Sequence, residues 1–144
     1  MRHITKFAWM LSIGLFFAGC TKDSSVEEEI VSAQSTSPDL YGRYRGTFVR
    51  TGLDTAEVRF FFKNDGTYDG SSSSPRYPYI CAGTFSENGK TLIVEDTCSW
   101  TADFDWTLIF DGTWNISHES DIKVRIWRTN GDITDEYVLT KLVK

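Results

Sequence analysis

The chain is 144 residues long, with 15 Lys or Arg against 20 Asp or Glu and a formal net charge of −5. No basic stripe runs through it, so the electrostatic footprint that nucleic-acid binding requires is missing. Only one histidine, His118, follows residue 20, which leaves zinc ligation and histidine-based catalysis little to work with.

Arg2 and Lys6 make the start basic, and the 12 residues from Phe7 to Ala18 carry no charge. That run is too short for a bilayer core, which needs roughly 20 residues, and fits the apolar part of a secretory signal. It ends in Phe17-Ala18-Gly19-Cys20. Small residues leading into a cysteine resemble the lipobox of bacterial lipoproteins. The resemblance implies removal of residues 1–19, acylation of Cys20 and a membrane contact made through that lipid. Cys81 and Cys98 then remain as a pair, and such a pair outside the cytoplasm normally oxidises. The bridge would add about 3 kcal/mol in the chain-entropy model. Two free buried thiols are the alternative.

Residues 20–39 continue as a polar stretch without sustained period, which reads as a flexible tether. Thr21 stands where enterobacterial lipoproteins carry the aspartate of their inner-membrane retention signal. Lys22-Asp23 and Glu27-Glu28-Glu29 partly resemble the lysine-plus-acid export signal of Bacteroidetes surface lipoproteins, although no second acid directly follows Asp23. These resemblances imply the outer membrane, with the cell surface preferred to the periplasmic face.

From Leu40 the pattern changes. Apolar residues alternate with polar ones, and turn residues recur roughly every 8–12 positions, as in all-β domains. The 105 residues from here hold 12 Lys or Arg and 15 Asp or Glu, enough chain for one domain, 40–144, with a single core. The first strand, about 42–50, sets Tyr44, Gly46 and Phe48 against Arg43, Arg45 and Thr47. Strand two, 57–63, meets Asn64-Asp65-Gly66, a hairpin signal because Asp-Gly tolerates positive φ. Strand three, 67–72, enters the Ser- and Pro-rich loop 72–78. Strands four (79–85) and five (90–95) flank Glu87-Asn88-Gly89. A longer connection, 97–104, leads to strand six at about 105–117, interrupted at Asp111-Gly112. Strands seven (122–128) and eight (133–142) join through Asn130-Gly131.

No stretch of 40–144 has useful helical periodicity, so no substantial helix is expected. About eight strands joined by hairpins predict an antiparallel up-and-down meander that removes its edges by closing into a barrel. A sandwich would need crossovers, which only 71–78 and 97–104 could supply. In the fourth hairpin, an Asn88-Gly89 turn would leave Cys98 diagonal to Cys81. A turn at Gly89-Lys90, or one bulge, would set the two cysteines opposite.

Gly42-Arg43-Tyr44 resembles the Gly-x-Trp opening of lipocalin-type barrels, with Tyr in place of Trp. Gly83-Thr84-Phe85, Asp111-Gly112-Thr113-Trp114 and Tyr137-Val138-Leu139-Thr140-Lys141 resemble the small lipocalin-like lipoproteins of Bacteroidetes. The resemblance covers most of 41–142, without the C-terminal helix and longer chain of full lipocalins. It implies a compact calycin-type barrel whose interior holds a small apolar molecule.

Alternation places Phe48, Phe60, Phe62, Phe85, Val124 and Ile126 inward. A barrel of about eight strands is filled by its own side chains or admits one small ligand, and both readings stand. Tyr77, Tyr79, Trp100, Phe104 and Trp106 lie in or beside the long connections and are the candidate ligand-binding residues. The competing reading makes them plugs of the barrel ends. Asp103, Asp105 and Asp111 lack EF-hand order, and a solvated acidic loop suits them better than calcium. Asp54-Thr55-Ala56 resembles the acceptor of Bacteroidetes O-glycosylation, which implies a glycan on Thr55. His118 beside Glu119, in a predicted turn, makes no triad, and no HExxH, P-loop or dinucleotide motif occurs. Paired carboxylates at hydrolase spacing stay open. The expectation is a non-catalytic, cofactor-free, lipid-anchored envelope protein that binds a small apolar ligand near 77–79 and 100–106. The alternative is a packed barrel that binds an envelope protein as inhibitor or accessory subunit.

Overall fold

The structure is a computed structural model that describes residues 39–101, 103 and 105–143. The chain divides into two units, Met1–Ala33 and Gln34–Lys144, and all described residues belong to the second. The expected signal peptide, the acylated Cys20, most of the tether, and Phe104 lie outside the described residues.

Eight strands follow one another: β1 (Gly42–Arg50), β2 (Ala56–Phe62), β3 (Thr67–Ser72), β4 (Ala82–Glu87), β5 (Thr91–Asp96), β6 (Gly112–Ser120), β7 (Lys123–Asn130) and β8 (Ile133–Lys141). Each pairs antiparallel with the next, and β1 pairs with β8, so the sheet closes with no free edge. A single 3-10 turn, Trp106–Leu108, is the only helical element among the described residues. The architecture is the expected up-and-down barrel and is consistent with a lipocalin-like fold.

Alternation builds the interior. In β2, Ala56, Val58, Phe60 and Phe62 are buried while Glu57 and Arg59 face out. Phe48, Phe60, Phe62, Val124 and Ile126 are buried as their parity predicts, and half-buried Phe85 packs against the same cluster. Two strand glycines are required by close approach. A Cβ on Gly46 would sit 1.9 Å from the Val138 carbonyl oxygen, and one on Gly83 would sit 2.0 Å from that of Glu95.

Two strand boundaries differ from the sequence reading. Strand four begins at Ala82, not Tyr79, because the Tyr79 N–H donates instead to the Leu108 carbonyl (3.1 Å) and Pro78 before it has no N–H to offer. Strand six begins at Gly112, not near 105. Gly112 has φ of +82°, which breaks the ladder, and 105–111 folds as a separate cap. His118 is also moved: it lies within β6, beside a register shift between His118 and Ser120, and not in the turn.

The fourth hairpin takes the shifted turn. Gly89, with φ of +83°, and Lys90 form its centre, and Asn88 Oδ1 accepts from the N–H groups of Lys90 (3.2 Å) and Thr91 (2.9 Å). Gly83 therefore pairs with Asp96, and the same register carried two residues further brings Cys81 opposite Cys98. The two are joined by a disulfide, with Cα atoms 6.3 Å apart.

Candidate recognition site at the long-loop end

One end of the barrel carries the long connections 51–55, 73–81 and 97–111. The segment 105–111 lies across it. Asp105 caps the 3-10 turn, its Oδ1 accepting from the Thr107 N–H (2.9 Å) and hydroxyl (2.6 Å). These bonds, then the Arg50 guanidinium, hold the Asp105 carboxyl below the usual carboxylate range. Beyond the turn, Tyr79 and Ile109 form a parallel bridge, with the Phe110 N–H donating to the Tyr79 carbonyl (3.0 Å).

This bridge aims Phe110 down the barrel axis. Its ring is fully buried, with centroids 4.9 Å from Phe60, 5.5 Å from Tyr68, 5.3 Å from Trp114 and 5.1 Å from Tyr137. Those four rings come from β2, β3, β6 and β8, so one side chain from the cap joins opposite walls. Tyr137 is buried completely, and its hydroxyl has no hydrogen-bond partner among the described residues. Such a group costs about 1–3 kcal/mol, which the packing of its ring must exceed.

Two arginines fasten the cap. Arg50, at the end of β1, grips buried Asp135 of β8 through Nε–Oδ1 (2.5 Å) and Nη2–Oδ2 (2.8 Å). It also donates to Asp105 Oδ2 (3.0 Å), the Thr107 hydroxyl (2.9 Å) and the Thr107 carbonyl (2.9 Å). Arg128 of β7 donates to Asp135 Oδ2 (3.1 Å) and to the carbonyls of Thr107, Ile109 (3.4 Å) and Asp111 (3.0 Å), with its guanidinium 4.0 Å over the Trp114 ring. The sequence reading missed this cluster, although both Arg50 and Asp135 fall on inward positions of their strands.

The candidate residues separate into two groups. Tyr77 packs its ring edge-on against Phe48 at 5.2 Å, and its hydroxyl accepts from the Arg50 N–H (3.1 Å). Tyr79 is 7% exposed and belongs to the core cluster. Trp100 and Trp106 instead line an open pocket of about 400 Å³ with Asp96, Cys98, Ile109 and Asp111. Trp100 stands edge-on to Tyr79 at 5.1 Å, and its Nε1 donates to Asp96 Oδ1 (2.8 Å). Trp106 is 54% exposed. The disulfide at Cys98 fixes the wall behind them.

At the opposite end, His118 Nε2 and Glu87 Oε1 approach to 2.6 Å, both side chains about nine-tenths buried. Burial, then the nearby Glu87 charge, pushes the Tyr44 phenol up to about 12. Among the described residues no three His, Cys, Asp or Glu side chains are grouped to hold a metal. Asp105 is committed to the cap, and Asp111 Oδ1 accepts from the Asp96 N–H (2.9 Å). Thr55 is exposed in the 51–55 loop. Comparison with family models, curated proteins and solved structures found no match to this chain.

Proposed function

We propose that this chain is the binding domain of a lipid-anchored outer-membrane lipoprotein and acts by docking a protein partner at the 96–111 pocket, without catalysis. The observation that carries this reading is the contrast at the long-loop end. Phe110 occupies the barrel axis in contact with four other rings, while Trp106 stands exposed beside a walled pocket. An exposed indole in a concave, disulfide-braced setting suits recognition. The lipid anchor rests on the sequence before residue 40, and its resemblance to the lipocalin-like lipoproteins of Bacteroidetes supports the same address. A glycan on Thr55 would project from the same end and add bulk beside the docking surface.

An apolar ligand within the barrel, the first expectation from sequence, would have to displace Phe110 and break the cap's bonds to Arg50 and Arg128. The docking reading asks for no rearrangement.

The test is made in whole cells. A clickable palmitate analogue is expected to label the wild-type protein and not Cys20→Ser. A photo-cross-linking residue at position 106 is expected to give one discrete protein adduct, absent when the same residue replaces exposed Thr113 on the barrel wall. Adducts equal at both positions, or at neither, would contradict docking at this pocket.

A further inference from the structure

We infer that the pocket receives a cationic side chain, the ammonium of lysine or the guanidinium of arginine, presented by the protein partner. The inference rests on the reading of this end as a docking surface and adds the chemistry of what docks there.

The lining defines that chemistry by what it can give. Asp96 and Asp111 only accept hydrogen bonds, Trp100 and Trp106 contribute electron-rich ring faces, and Ile109 and the disulfide sulfur of Cys98 offer no donor. Among the described residues, no lysine, arginine, serine, threonine, asparagine or glutamine side chain lines the pocket. Part of the acceptor capacity is already used. Asp96 Oδ1 accepts from Trp100 Nε1 and from the Cys98 N–H (3.0 Å), Asp96 Oδ2 accepts from the Tyr68 hydroxyl (3.5 Å), and Asp111 Oδ1 accepts from the Asp96 N–H. Asp111 Oδ2 accepts no hydrogen bond among the described residues.

Neither Arg50 nor Arg128 forms an ion pair with the Asp111 carboxylate. Arg128 donates to Asp135 and to the carbonyls of Thr107, Ile109 and Asp111, and Arg50 is turned to Asp135, Asp105 and Thr107. The imbalance extends past the pocket. Residues 95–111 hold five Asp or Glu and no Lys or Arg, and Glu95 and Asp103 are exposed.

A concave site with indole faces and carboxylates, and with no donor side chains except indole N–H among the described residues, favours a donor-only cationic guest. A neutral sugar also needs donors for its own oxygens. A purely apolar guest would desolvate carboxylates without compensation. The acidic field reaches well beyond one pocket, so a basic protein segment uses it more fully than a lone amine does.

The test uses the mature chain with its disulfide intact. The indole N–H resonances of Trp100 and Trp106 are followed during titration with N-acetylated, C-amidated pentapeptides. These carry arginine, lysine, norleucine or glutamate between glycines. Butylammonium and maltose are run beside them. The expected result is saturable shifts with the arginine and lysine peptides only, weakened roughly tenfold or more by Trp106→Ala and by Asp111→Asn. Raising salt from about 50 to about 500 mM should weaken them further. Asp111→Asn keeps an oxygen for the Asp96 N–H, and unchanged melting of both variants would show that the fold is intact.

Equal shifts with norleucine or maltose would overturn the cationic guest while leaving docking at this pocket standing. Butylammonium binding as tightly as the peptides would overturn a protein side chain as the source. No shift with any cation would overturn the inference, and the cross-link at position 106 would still decide docking separately.

Discussion

Phe110→Ala is expected to lower stability by about 3–5 kcal/mol, the range for deleting a buried phenyl ring. The cost should fall at the upper part of that range, because the ring touches partners on four strands that cannot all collapse into the space. Chemical denaturation of the disulfide-intact chain would measure it. The void left behind is lined by Phe60, Tyr68, Trp114 and Tyr137, so the variant should also take up benzene, as engineered apolar cavities do. Trp106→Ala, four residues away on the same cap and 54% exposed, should cost clearly less than Phe110→Ala. A similar cost for the two substitutions would mean that Phe110 is not the plug.

Asp135→Ala is the second large effect. The side chain is 3% exposed, and it answers two guanidiniums, of Arg50 and Arg128. Removing it leaves the nearly buried Arg50 facing no carboxylate but that of exposed Asp105, and breaking a buried pair in this way costs about 3–5 kcal/mol. The loss should be felt locally as well. Arg50 and Arg128 hold the cap by its carbonyls, so amide exchange at 105–111 is expected to quicken more than at β2 or β3. Replacing Arg50, Arg128 and Asp135 together with apolar residues of similar volume should recover much of the stability but not the protection of the cap. Acid acts on the same device. The Asp105 carboxyl is depressed by its bonds to Thr107 and by Arg50. Its contribution is therefore whole above the ordinary aspartate value, near pH 4, and is lost as pH falls through the lowered one.

Local signals carried most of the barrel into the sequence. Asp65-Gly66, Asn88-Gly89 and Asn130-Gly131 mark three tight turns, and alternation in segments such as 56–62 assigns the inward rings. The disulfide was legible as an opposed pair once the turn at Gly89-Lys90 was allowed. What alternation hid was the cap. Residues 105–111 read as the start of strand six, yet they belong to a segment held by Arg50 and Arg128, and bonds across such sequence distances leave no local trace. The clue that was available lies in parity. Arg50 continues the inward row of Tyr44 and Phe48, and Asp135 begins that of Tyr137 and Leu139. A charged residue on an inward row needs a buried partner, and these two partner each other. Which aromatics of the long connections face outward was equally hidden, because it depends on the bridge between Tyr79 and Ile109.

The claim that the barrel is filled and that recognition happens outside it is tested most directly by titrating the wild-type 20–144 chain with dodecanoate, observed through its aromatic side-chain resonances. The account predicts no stoichiometric complex, with the rings of Phe60, Phe110 and Tyr137 unmoved at saturating ligand. A one-to-one complex that shifts those three rings would contradict it, and would return the function to the barrel's interior.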